Sequence, residues 1–217
     1  MVVPLSDNRF RRSGVPVRLV LASESPRRAE LLREHGYQFD VVRPPLPEPS
    51  ALAGCRRPFE LAESLSFFKA SSVAADVITG VILAADTVSA LDAHIFGKPR
   101  DRADAARILR ALMGTTHQVI TGITVLDAAT QKRVIAHDVT NVTMRAMTNA
   151  ELESYLNTNA WVGKAGAYGI QDHGDCFVTQ FDGSFSNVVG LPMEMAGPFL
   201  SAFGVVPPAH AANPPAA

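Results

Sequence analysis

Apolar and polar positions along the chain follow two alternating periods, and each switch marks an element. VRLVLA at 17–22 is a nearly unbroken apolar run and predicts a buried strand. SESPRRAELLREHG then changes period. Ser25 suits an N-cap, Pro26 the first helical position, Ala29, Leu31 and Leu32 the apolar side, and Gly36 the stop. Residues 17–35 therefore read as strand, turn and helix. Prolines at 44, 45, 47, 49 and 58 make 40–58 a loop. The spacing of Leu61, Leu65 and Phe68 predicts a helix over 59–75. VITGVILAA at 77–85 predicts a strand buried on both faces, with Asp86 and Thr87 at its carboxyl end. TVSA and HIFGK predict a hairpin that turns near Asp92.

A helix is predicted over 102–113, stopped by Gly114, and strands over 117–127 and 133–147. Thr148 and Glu151 have the spacing of a capping box for a helix over 149–157. A glycine-rich turn, GKAGAYGIQDHGD, comes next. CFVTQF and SFSNVVG predict a second hairpin turning on Asp182-Gly183, and a last helix covers 192–203. Strands and helices alternate with hairpins inserted. That predicts a mixed α/β fold with its chemistry in a cleft at strand carboxyl ends. One domain is expected over 17–204, with a flexible leader at 1–16 and a disordered Pro/Ala tail at 205–217.

Composition changes this picture little. The 217 residues are 47% apolar and 19% charged, ordinary for a globular protein. A net charge of −1 gives no chain-wide basic bias for gripping a nucleic-acid polymer, so an anionic substrate needs a local cationic cluster. No apolar run is long enough to span a bilayer, and the N-terminus lacks the apolar stretch of a signal peptide. Cys55 and Cys176 stand far apart with no His or Cys at metal spacing, which fits a reducing, cytoplasmic setting.

Four segments hold candidate chemistry. Arg27 and Arg28 occupy the first turn of a helix, where acidic residues are favoured. Two readings stand: an anion docks on this turn with help from the hydroxyls of Ser23 and Ser25, or both arginines are solvated and Ser25 is only a cap. Asp86 ends a buried strand and suits either a metal ligand and water-activating base or a capping role. Lys98, between Gly97 and Pro99, is either a phosphate contact or a surface lysine. In KAGAYGIQ, glycines permit a tight path beside a ligand, and the Gln171 amide suits the edge of a nucleobase; the same residues also make an ordinary turn.

Jointly the motifs are more specific. LASESPRRAELL at 21–32, AADTVSALDAHIFGKPRD at 84–101, RALMGTTHQVITG at 110–122 and GKAGAYGIQDHGDCFVTQFDGSFSNVVGLPMEM at 163–195 resemble, in this order, signatures of the Maf family. The resemblance spans about 17–203. It implies an elongated mixed sheet with flanking helices, in two lobes around a nucleotide cleft. It also implies cleavage of the α–β phosphoanhydride of nucleoside triphosphates with a divalent cation, Mg²⁺ or Mn²⁺, and it leaves a homodimer open. Asp86 corresponds to the family's catalytic base. Ser23, Arg27, Arg28 and Lys98 correspond to phosphate-handling positions, and Lys69 to a further lysine near the site.

The ADT and AGAYGIQ motifs resemble the dTTP/UTP branch, whose specificity positions fall on Arg27, Thr87 and Gln171. Departures are Pro47 where an aspartate is common, beside Glu48; Ser64 for a frequent arginine; and Asn159-Ala160-Trp161 for a usual Gly-Glu-Pro. The implied mechanism has Asp86 and the metal prepare a water, with Glu48 a candidate second metal ligand. Arg27, Arg28, Lys69 and Lys98 offset phosphate charge. The rival readings are a non-catalytic nucleotide sensor that regulates cell division or septum formation, and a phosphatase or nucleotidyl transferase using the same cleft.

Overall fold

The computed structural model describes residues 17–47, 49, 57–170 and 175–208. The leader, Glu48, Gln171 and the tail from 209 onward lie outside the described residues. Seven strands form one mixed sheet: β1 (Leu19–Ala22), β2 (Asp40–Val42), β3 (Val81–Leu91), β4 (His94–Phe96), β5 (Thr116–Asp127), β6 (Arg133–Met144) and β7 (Val178–Asp182). Their order is β2-β1-β3-β5-β6-β7, with β4 also paired to β3. β1 runs parallel to β2 and β3, and the remaining pairs are antiparallel. The helices are α1 (Pro26–Glu34), α2 (Pro58–Ala74), α3 (Arg102–Leu112), α4 (Asn149–Asn157), α5 (Phe185–Val189) and α6 (Met193–Ala202). None of the described helices is long and apolar enough to cross a membrane.

Alternation along β3 assigns the two faces of the sheet. Ile82 and Ala84 pack with Ala70 and Val73 of α2. Leu83 and Ala85 pack instead with Leu31 and Leu32 of α1 and Ala196 and Leu200 of α6. On that second face a separate cluster gathers α3, α4, Val119 and Val142. Two apolar clusters therefore share one face of the sheet.

α2 buries a stripe of Ala62, Leu65, Ser66, Lys69, Ala70 and Val73, at helical spacing. Leu61 and Phe68, expected on that side, are only half-buried. Gly122 of β5 lets the stripe come close: a Cβ there would lie 2.2 Å from the Ala62 carbonyl carbon. Gly122 is the cross-strand partner of Asp86.

Several expectations require correction. The strand at 77–85 starts at Val81, because Gly80 has a φ of +116° that no ordinary strand residue adopts, and Ile78 is exposed. Part of the 40–58 loop, Asp40–Val42, pairs with β1 as a short edge strand. SFSNVVG is not a strand. Ser184 accepts from the Asn187 N–H and caps α5, while Asn187 Nδ2 donates to Val119 O and Thr140 Oγ1 and seats that helix on the sheet. Val205, assigned to the tail, is buried in the α1–α6 cluster. By contrast, α4 has the full capping box of Thr148 and Glu151.

Candidate active site

The outer edge of β3 has a gap. Residues 81–83 pair with β1 and residues 89–91 with β4. Between them, no described strand covers that edge at 84–88. Asp86 and Thr87 lie in this gap, where a strand edge exposes side chains from both faces to one space. A cleft of about 450 Å³ opens there. It is bordered on one side by the turn between β1 and α1, and on the other by the segment after β4 and the glycine-rich turn. Ser23, Arg27, Arg28, Lys69, Asp86, Thr87 and Lys98 all line it. Seven of the nine residues singled out from sequence thus converge; Glu48 and Gln171 are the two outside the described residues.

Asp86 points to the α2 face and forms an ion pair with Lys69 Nζ. Both are buried, at 6% and 9% exposure. A buried ion pair costs desolvation, and replacement by apolar residues is often neutral or better for stability. Its position on the cleft wall therefore indicates chemistry more than fold stability.

Thr87 points the other way. Arg28 Nη2 donates to Thr87 Oγ1 at 3.0 Å, and Thr121 Oγ1, 2.9 Å from Thr87 Oγ1, donates to Asn187 O at 3.1 Å. Since Thr121 uses its proton on that carbonyl, Thr87 donates to Thr121, and the chain of hydrogen bonds has one direction. Arg28 also donates from Nε to Gly190 O at 2.7 Å and from Nη1 to Ser23 Oγ at 3.2 Å. The buried guanidinium thus ties the α1 turn, the β3 edge and the end of α5 together. Ser25 stands at the N-cap but makes no side-chain cap bond; its N–H donates to Ser23 Oγ instead.

The cleft is strongly cationic. Among the described residues, Arg27, Arg28, Lys69, Lys98 and Lys164 line it against two carboxylates, Glu24 and Asp86. Glu24 is also paired with Arg43. This local excess, in a chain of net charge −1, is what a polyphosphate requires.

Behind the glycine-rich turn, His117 Nε2 lies 2.7 Å from the Tyr168 hydroxyl, with both side chains buried. Burial lowers the His117 pKa to about 4 and raises that of the Tyr168 phenol, so both are neutral at pH 7. Buried and neutral, His117 is a structural support for the turn through Tyr168. Reading the sequence assigned no role to Lys164, although its motif was recognised. The available signal was a lysine inside a turn whose glycines already suggested a nearby ligand.

Among the described residues no group of three His, Cys, Asp or Glu side chains could hold a metal ion. Mg²⁺-type sites need only one or two protein carboxylates, with phosphate oxygens and water completing the shell. Asp86, the buried carboxylate of a polyphosphate-suited cleft, meets that requirement.

Known proteins place the chain consistently. The family model described as Maf-like protein matches residues 18–203. The chain is 39% identical over 186 residues to a dTTP/UTP pyrophosphatase of Pelotomaculum thermopropionicum, covering 86% of this chain and 96% of that protein. It is 40% identical over 185 residues to a dTTP/UTP pyrophosphatase of Clostridioides difficile, covering 85% and 94%. A third relative of that name, from Carboxydothermus hydrogenoformans, is 41% identical over 177 residues, covering 82% and 94%. With its signatures gathered around one cationic cleft and the family model matching nearly all of its fold, the chain belongs to the Maf family.

Proposed function

We propose that this chain hydrolyses dTTP and UTP to the nucleoside monophosphate and pyrophosphate, as a house-cleaning enzyme of the cytoplasm. The observation that carries the reading is the buried Lys69–Asp86 pair on the wall of a cleft lined by five cationic side chains. The names of its relatives support the nucleotide and the bond cleaved.

In this reading Asp86 accepts a proton from water, the water oxygen bonds to the α-phosphorus, and the bond from that phosphorus to the α–β bridging oxygen breaks. Lys69 holds Asp86 in place and, with Arg27 and Lys98, offsets negative charge on the phosphates. Arg28 keeps the α1 turn and Thr87 in register. Asp86 would hold Mg²⁺ or Mn²⁺, and Glu48 is the candidate second carboxylate. Such a cation, when bound, supplies charge neutralisation and acidifies water. Arg27, Thr87 and Gln171 are proposed to select the base; the primary amide of Gln171 can complement a carbonyl and an N–H side by side.

The test is pyrophosphate release from a panel of canonical and modified nucleoside triphosphates with Mg²⁺ or Mn²⁺. Release from dTTP or UTP is expected, reduced about 10²- to 10⁴-fold in Asp86→Asn. A thermal melt of that variant separates lost chemistry from lost fold, since it leaves Lys69 buried opposite a neutral group. Normal turnover by a folded Asp86→Asn overturns the role of Asp86. Nucleotide binding with no turnover across the panel favours the non-catalytic regulator instead. Gln171→Ala is expected to reduce discrimination among bases more than it slows turnover; an equal loss on every nucleotide would refute that assignment.

A further inference from the structure

Lys164 is only 6% exposed, yet it borders the cleft. Its turn is held at three points. The Gly166 N–H donates to Gly97 O at 3.2 Å, which joins this turn to the segment carrying Lys98. Tyr155 donates its hydroxyl to Ala167 O at 3.2 Å, and Tyr168 meets His117 at 2.7 Å. Gly166 has a φ of +72°, and a Cβ there would stand 2.5 Å from Ser89 Oγ, so the turn lies directly against β3. The turn therefore presents two lysines, from two clasped segments, to one space. A cation so enclosed acts on an entering anion at short range and in a low effective dielectric.

The side on which it lies is informative. Ser89, beneath the turn, belongs to the odd-numbered face of β3, whereas Asp86 points to the opposite face and meets Lys69. In phosphoryl displacement the attacking and leaving oxygens are roughly in line across the phosphorus. If Asp86 prepares the water, the leaving group departs toward the face that carries Lys98 and Lys164.

We propose that Lys164 is a substrate-binding residue that, together with Lys98, holds the β- and γ-phosphates and then the departing pyrophosphate. The assignment rests on the pyrophosphatase reading. It is tested without turnover, by calorimetric titration of the full chain with inorganic pyrophosphate and, separately, with UMP, both in Mg²⁺. Lys164→Met is expected to weaken pyrophosphate binding tenfold or more while leaving UMP within about twofold, and Lys164→Arg to retain most of the pyrophosphate affinity. If Lys164→Met melts early, Lys164→Gln serves as the neutral variant. Unchanged pyrophosphate affinity in a folded neutral variant overturns the assignment, as does equal loss of both ligands, or a parent chain that binds no pyrophosphate. A parent that binds pyrophosphate but releases none from any nucleotide sinks the enzymatic reading, and with it the product-holding role of Lys164. A parent that releases it, with Lys164→Met still binding it normally, sinks the Lys164 assignment alone.

Discussion

His117 combines 2% exposure with an imidazole whose Nδ1 has no hydrogen-bond partner among the described residues. Its proton affinity is lowered by burial, to a pKa of about 4, against about 6.5 in an unfolded chain. Between those values the unfolded chain binds a proton that the folded protein excludes. Stability contributed by this residue is therefore complete above pH 6.5 and falls as pH drops toward 4, by roughly 3 kcal/mol at full extent. Denaturant unfolding at a series of pH values is expected to show this slope in the parent chain and a shallower one in His117→Gln. Parallel pH profiles for the two proteins would refute the linkage. The Lys69–Asp86 pair follows a different residue-scale rule. Removing one partner leaves an uncompensated buried charge, so Lys69→Met is expected to cost about 3 kcal/mol or more of stability together with activity.

Among the elements, α2 and β5 define the site by their closeness. Gly122 lies in the middle of a long strand, where strand propensity alone favours almost any other residue. Its missing side chain brings α2 near enough for Lys69 to reach Asp86. Gly122→Ala is expected to destabilise by about 3 kcal/mol and to lower turnover as well, measured by chemical unfolding and pyrophosphate release. Because the clash is with the Ala62 backbone, a second change of Ala62→Gly should not rescue it; rescue would show that the side chain, not the helix axis, sets the spacing. α4 makes a simpler case. Its capping box satisfies its first turn, and Thr148→Ala should cost about 1 kcal/mol without altering catalysis.

For the whole molecule, the decisive feature is that two apolar clusters share one sheet face and the cleft lies where their elements meet. A ligand there contacts α1 from one cluster and the turn at 163–169 from the other. Binding should therefore stabilise the entire fold and not one lobe. A non-hydrolysable dTTP or UTP analogue with Mg²⁺, at a hundred times its Kd, is expected to add about 2.7 kcal/mol to a single cooperative unfolding transition. Splitting of that transition into two, with only one shifted, would contradict this coupling.

The alternating α/β order, the N-terminal strand–turn–helix, the α4 cap and the family are all legible in the order of residues. Each rests on local rules of period, capping and short motifs that hold wherever the chain goes. That order also names Ser23, Arg27, Lys69, Asp86 and Lys98 as the residues to watch. What those residues face depends on the folded arrangement. SFSNVVG alternates like a strand but became α5, because Ser184 caps it and Asn187 anchors it to β5 and β6. Arg28 looked like an anion contact, yet it spans to Thr87 and Gly190, 59 and 162 positions along the chain. The lysine that meets Asp86 stands 17 positions before it on α2, and the glycine opposite it belongs to another strand, β5. Burial, pairing and closeness of approach are properties of segments brought together from a distance, and no window of the chain contains both sides of such a contact.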